Sequence, residues 1–309
     1  MPCLRAGKWV LWPWCWIGSI DDVTKWQWAW EGALGVIAVL AVGTVLVTAP
    51  VQHLVNILAL AAPVGLAAVA LSLSLRTGTP NLAVGAASAL SGALMAWAAV
   101  ELELPLATGV LLVLVLAAFA GLVLGAFTVL LGAPSWAVTL AAAVVFEALL
   151  VMLTGGSVIV LPSVPSYPPG AVFAVFAVLS VAGGALWLNR NVRERLSKGW
   201  AGGLVGLAGS SAVAALAGFA LLVRLGAAQP GGQGLSTVVF ALAAVVLGGT
   251  SLNGERGAVT GTLLSVLILA VVQGQLALMN FPSWVYTLVL GAVVALGLTV
   301  SRLLDALRA

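Results

Sequence analysis

The sequence predicts an all-α, polytopic membrane protein of about ten transmembrane helices, and three observations carry that reading. The 309-residue chain is 62% hydrophobic and only 7% charged, whereas a soluble domain carries about 25% charged residues. Apolar runs long enough to span a bilayer recur from residue 31 onward, so lipid must solvate most of the surface. The glycines, 36 in all, occur largely within apolar runs. There the missing side chain lets helices approach closely, so they do not signal disorder. A water-soluble enzyme is excluded.

Residues 1–30 differ in kind from the rest. Seven of the twelve tryptophans lie there, together with Asp21, Asp22 and Lys25. Tryptophan prefers the headgroup zone, so this stretch reads as a cytoplasmic or interfacial leader to a transmembrane domain at 31–309. It has neither the clean apolar core nor the small-residue cleavage site of a signal peptide.

Hydropathy windows of about 20 residues place spans at 31–48, 53–75, 80–98, 104–131, 134–153, 169–188, 200–223, 235–252, 257–278 and 283–301. The third, fifth and eighth are short or bounded by Gly and Pro. They read as candidates for broken or re-entrant segments, which a membrane tolerates only where they line a cavity or pack inside protein.

Orientation follows from the basic residues. Arg190, Arg193, Arg195 and Lys198 form the densest cluster, and Arg302 and Arg308 lie near the C-terminus. The positive-inside rule puts both groups in the cytoplasm. Ten spans satisfy both anchors and put the N-terminus inside, with the loops holding Arg76 and Glu255-Arg256. Glu101, Glu103 and the turn Gln229-Pro230-Gly231-Gly232-Gln233 then lie outside. Two groups of five spans have opposite orientations, which allows inverted five-helix halves.

Little in the chain suggests chemistry. Cys3 and Cys15 lack metal-ligand spacing, and His53, the single histidine, reads as an interfacial residue. Gly7-Lys8 is followed by Trp9 and not by Ser or Thr, so there is no phosphate-binding loop. No Gly-x-Ser-x-Gly occurs. No catalytic residue, cofactor or metal site is expected, and a pI of about 9.2 reflects topology-setting charges rather than nucleic-acid binding. Glu147 is the one carboxylate placed well inside a span. A charge in lipid costs at least about 2.5 kcal/mol, so Glu147 must face a cavity or a partner. The pairs Gly121/Gly125, Gly202/Gly206 and Gly257/Gly261 suit close helix packing.

The polar breaks between spans carry a resemblance. Residues Leu247-Gly248-Gly249-Thr250-Ser251-Leu252-Asn253-Gly254, continuing through Gly257-Ala258-Val259-Thr260-Gly261-Thr262, resemble the GGTSLxGGxGxxxGTxxG signature of the ribose and simple-sugar ATP-binding cassette (ABC) importer permeases, relatives of the branched-chain amino acid permeases. Three further pieces follow that family's order. Thr77-Gly78 with Asn81-Leu82-Ala83-Val84-Gly85 resembles TGGIDLSVG, Leu153-Thr154-Gly155-Gly156 resembles LLTGG, and Ala227-Ala228-Gln229-Pro230 resembles SAQP. There are departures: Asn81 stands in the place of an Asp, Glu255 in that of a Gly, and the cytoplasmic GNEAAxxSGI loop is reduced to residues 191–199.

The resemblance implies a type II ABC importer permease in a bacterial inner membrane, with both termini cytoplasmic. Its partners would be ABC ATPase subunits, an extracytoplasmic solute-binding protein and a second permease subunit; nucleic acid is not among them. A sugar is the implied solute. Val192, Arg193, Glu194, Leu196 and Ser197 would couple to the ATPase, with Val192, Leu196 and Trp200 forming one apolar stripe if 190–200 is a single helix. Asn81, Glu147, Thr250, Ser251 and Asn253 would line the path or its gate, and Glu101, Glu103 and Arg224 would meet the binding protein. An ion-coupled transporter using Glu147 and a branched-chain amino acid permease are the alternatives.

Overall fold

The computed structural model describes residues 20–164, 167–196, 200–231, 234–251 and 257–306. In chain order its elements are α1 (Ile20–Thr48), α2 (Val51–Arg76), α3 (Val84–Val100), α4 (Leu106–Leu131), α5 (Ser135–Thr154), β1 (Ile159–Val160), α6 (Pro169–Leu188), α7 (Arg190–Leu196), α8 (Trp200–Leu225), β2 (Ala227–Ala228), α9 (Gly234–Leu247), α10 (Gly261–Leu278) and α11 (Ser283–Ala306). Eight of these helices are long and apolar enough to cross a bilayer, and α3 and α9 are shorter apolar helices. With α7 lying between spans, the described residues hold the ten membrane helices that hydropathy predicts.

Local chemistry sets the boundaries. Pro50, Pro105, Pro134 and Pro168 stand immediately before α2, α4, α5 and α6, where a missing N–H costs nothing and the fixed φ suits helix entry. Gly132 and Gly155 end α4 and α5 at φ of 59° and 58°, a left-handed stop that side chains resist.

Several boundaries differ from the prediction: α3 starts at Val84 and not at residue 80, α9 ends at Leu247 and not at residue 252, and α10 starts at Gly261 and not at residue 257. Helix α1 starts at Ile20 and not at residue 31, because Asp21, Asp22 and Lys25 lower the hydropathy window although acidic residues suit a helix N-terminus. The fifth span is a regular helix of 20 residues rather than a broken one. The third and eighth are the short ones. At 1.5 Å per residue, the 17 residues of α3 reach about 26 Å and the 14 of α9 about 21 Å, against a core of about 30 Å.

The packing has an internal symmetry. Among the eight long helices α2 and α8 are the most buried and pack on each other, and α3 packs on α9. Replacing each span by the one five places later exchanges the remaining neighbours: α3 with α8 becomes α9 with α2, and α4 with α8 becomes α10 with α2. Likewise α3 with α5 becomes α9 with α11, and α3 with α4 becomes α9 with α10. Five is odd, so exchanged spans run in opposite directions, giving inverted halves. Helices α1 and α6 depart from the symmetry, both packing beside α2 and α10. At one end, β1 and β2 pair antiparallel, Ile159 opposite Ala228 and Val160 opposite Ala227, tying the exits of α5 and α8. The opposite end carries α7 with Arg193 and Arg195.

Candidate functional site

The two short helices occupy corresponding positions, third in each half, and that is where the functional geometry lies. Their N-termini meet. A Cβ on Gly85, in the first turn of α3, would overlap the carbonyl of Gly234, the first residue of α9. From this meeting α3 runs towards the β ribbon and α9 towards the basic end.

The break before α3 is built from hydroxyls and one amide. Thr77 and Thr79 share a 2.9 Å hydrogen bond, and their side chains press on Gly206 of α8 so closely that no Cβ fits there. Asn81 is fully buried. Its Nδ2 donates to Ser210 Oγ at 2.8 Å, its Oδ1 accepts from Ala83 N at 3.0 Å, and its own N–H donates to Ser74 Oγ at 3.1 Å. Leu82 N donates to Thr139 Oγ1 at 3.0 Å. Since Ser210 lies ten residues into α8, about 15 Å from its start, the break dips to mid-membrane, where every freed backbone group needs such a partner.

The second break, between α9 and α10, is held from both sides. Glu31 of α1, 4% exposed, accepts from Val259 N at 3.1 Å, Thr260 N at 2.8 Å and Thr260 Oγ1 at 2.6 Å, so a carboxylate caps α10. From α2, Arg76 Nη2 donates to Ala258 O at 2.6 Å. Trp30 Nε1 donates to Leu247 O at 2.8 Å, and Gln27 Nε2 to Gly257 O at 3.1 Å. Gly184 of α6 lies against the backbone of Val259.

Beside the meeting point is a narrow cleft with a water-accessible volume of about 30 Å³, walled by α3, α5, α8 and the turn that follows β2. Among the described residues Ser88, Glu147 and Gln229 are the polar groups in its lining, and Glu147 Oε1 lies over Gly234.

The predicted site residues therefore separate. Glu147 lines the cleft and is exposed. Asn81, Thr250 and Ser251 do not: all three are buried to 1% exposure or less. Asn81 holds the first break, and Thr250 Oγ1 accepts from Ala258 N at 3.4 Å within the second, so both shape the breaks. Asn253 and Ser197 lie outside the described residues, as do residues 1–19. Glu101, Glu103 and Arg224 are exposed at the ribbon end. The single helix predicted over 190–200 is corrected. Helix α7 ends at Leu196, and Trp200 opens α8 and is exposed, so it does not extend a stripe with Val192 and Leu196. Those two are half-buried against the body, while Glu194 and Arg195 face outward.

Sequence reasoning missed Glu31, Trp30 and Arg76 as the frame of the second break, and Thr139 and Ser210 as partners of the first. A signal existed for Ser210: the pair Ser210-Ser211 interrupts an otherwise apolar span, and buried hydroxyls in lipid need partners.

Comparison with known proteins agrees with this architecture. A family profile described as branched-chain amino acid transport system / permease component matches residues 53–207. The chain is similar to the ribose import permease protein RbsC of Bacillus subtilis (strain 168), 43% identical over 90 residues, or 29% of this chain and 28% of that one. It is 44% identical over 84 residues to RbsC of Escherichia coli (strain K12), covering 27% and 26% of the two chains. Against the fructose import permease protein FrcC of Rhizobium meliloti it is 41% identical over 81 residues, 26% and 22% of the two. These matches thus span 22% to 28% of the relatives' length. No solved structure matches.

Proposed function

Because the chain belongs to the branched-chain amino acid transport system / permease component family, we propose that it is the permease subunit of a bacterial ABC importer, taking a simple sugar from an extracytoplasmic binding protein across the inner membrane. The observation that carries the reading is the meeting of α3 and α9. Two short helices in corresponding positions of inverted halves mark a transporter's substrate site, and rocking one half against the other uncovers such a site from alternate sides. Relatives named as ribose and fructose import permeases favour a sugar.

The remaining assignments follow from this reading. ATP is hydrolysed on separate ATPase subunits, which press on α7. The binding protein docks at the opposite end, around Glu101, Glu103 and Arg224, and a second permease copy or partner completes the membrane unit. Both termini are cytoplasmic.

The test is reconstitution. Proteoliposomes holding the chain with the ATPase and binding protein encoded nearest to it should accumulate radiolabelled ribose when ATP is supplied, and should continue after the membrane potential is collapsed. Uptake driven by an ion gradient without ATP would overturn the proposal in favour of an ion-coupled transporter. Uptake of leucine in place of ribose would move the solute to the amino acids.

A further inference from the structure

The ends that meet in mid-membrane are both helix N-termini. Each presents about half a positive charge, which favours anions and, in transporters with broken helices, faces the carboxylate of an anionic substrate. In this chain a side chain already stands there. Glu147 Oε1 lies over Gly234 at the start of α9, next to Ala86 of α3, and no hydrogen bond or ion pair from another described side chain offsets its charge. About half a charge from each helix end and one negative charge from the carboxylate leave the cleft close to neutral. Besides Glu147, the polar lining is the uncharged Ser88 and Gln229.

Resting on the permease reading, we infer that Glu147 is a specificity-determining residue: it occupies the place where a substrate carboxylate would bind, so the cleft admits neutral, hydroxyl-rich solutes and excludes anionic ones. A carboxylate is also a good acceptor for sugar hydroxyls, and Gly92, Gly218, Gly231 and Gly234 contribute no side chain to the cleft lining. An amino acid would bring its own carboxylate against that of Glu147. The same position explains how an intramembrane carboxylate is tolerated in α5: it borders the cleft and two helix N-termini.

The experiment reads the cleft's charge without needing the solute. In the full-length chain with Cys3 and Cys15 replaced by Ser, Ala89→Cys places a thiol on the cleft wall and Leu225→Cys places one at the mouth. Each is reacted with a cationic (trimethylammonium) and an anionic (sulfonate) methanethiosulfonate of similar size. With Glu147 present the cleft is close to neutral, so the two reagents should modify Ala89→Cys in about the ratio they show at a free thiol. Glu147→Gln leaves the helix-end charge unopposed and should favour the anionic reagent about tenfold at Ala89→Cys, with little change at Leu225→Cys. If Glu147→Gln fails to insert, Glu147→Asp, which draws the carboxylate back by one methylene, should shift the ratio part of the way towards the anionic reagent. An unchanged ratio in the substituted protein would overturn the inference, as would an Ala89→Cys thiol inert to both reagents, which would mean a dry cleft. No ATP or partner subunit is needed, so either result leaves the permease assignment to stand or fall on the uptake assay.

Discussion

Buried polar side chains, more than apolar ones, decide where this chain interrupts its helices. Asn81 commits its amide to Ser210 and Ala83, so Asn81→Ala leaves Ala83 N–H without an acceptor and Ser210 Oγ, which still donates to Leu207 O, without its donor in a water-free layer. Each orphaned group costs about 1–3 kcal/mol, and the midpoint of thermal unfolding in detergent should fall. Asn81→Asp should lose less, because a carboxylate still accepts from Ala83 N and from the Ser210 hydroxyl and suits the N-terminus of α3. Glu31 is the counterpart at the second break. Glu31→Gln keeps one acceptor oxygen for Val259 and Thr260, while Glu31→Ala keeps none. Hydrogen bonds to a charged group contribute about 1.5–3 kcal/mol each, so unfolding temperatures should rank native, then Gln, then Ala. Equal stability of the Gln and Ala proteins would show that the carboxylate does not hold the second break.

At the scale of elements, the same sequence signal served different structural purposes. Of the three small-residue pairs, Gly121/Gly125 seats α4 on the backbone of α8 at Leu204 and Leu207, as predicted. Gly202 and Gly206 instead make room for Leu196 and for Thr77, and Gly261 for Gly248, so these pairs accommodate breaks and α7 rather than a helix partner. The spacing gave no means of telling these uses apart, because what matters is the chain lying opposite. Helix α7 shows the same limit. Its apolar positions were legible, but their direction was not: Val192 and Leu196 turn inward and Glu194 and Arg195 outward. The coupling proposal is therefore tested on the outward-facing charges. Glu194→Lys with Arg195→Glu should leave folding intact and cut ATPase copurification and ATP-driven uptake at least tenfold. Val192→Asp with Leu196→Asp should lower stability first by unseating α7 from α6 and α8. Undiminished ATPase binding in the charge-swapped protein would move coupling to another turn at the basic end.

At the scale of the whole molecule, ten spans were legible because lipid imposes length and hydropathy directly, and the broken third and eighth because Gly, Pro and Asn interrupt them. The meeting of α3 with α9 was not legible. It joins Gly85 to Gly234, and nothing local to either glycine names its partner. The inverted halves were legible only as parity, since the symmetry resides in neighbour relations and not in repeated residues. Inversion makes a demanding prediction about sidedness. The described loops at the α7 end hold Arg193 and Arg195, while Glu101 and Glu103 stand at the ribbon end, and the positive-inside rule assigns the first to the cytoplasm. If α3 and α9 each reach only part-way and start from a common level, the ends of both breaks must still lie on the sides that ten crossings dictate. In a background without Cys3 and Cys15, single cysteines at Glu101 and Gly231 should react with an impermeant maleimide added to intact cells. Cysteines at Glu194 and Arg302 should react only after the membrane is opened. Gly231 is the informative position, because it separates α8 from the re-entrant start of α9. Labelling at Glu101 from outside but at Gly231 only from inside would place the exits of α3 and α8 on opposite sides, and the inverted arrangement of the halves could not then be correct.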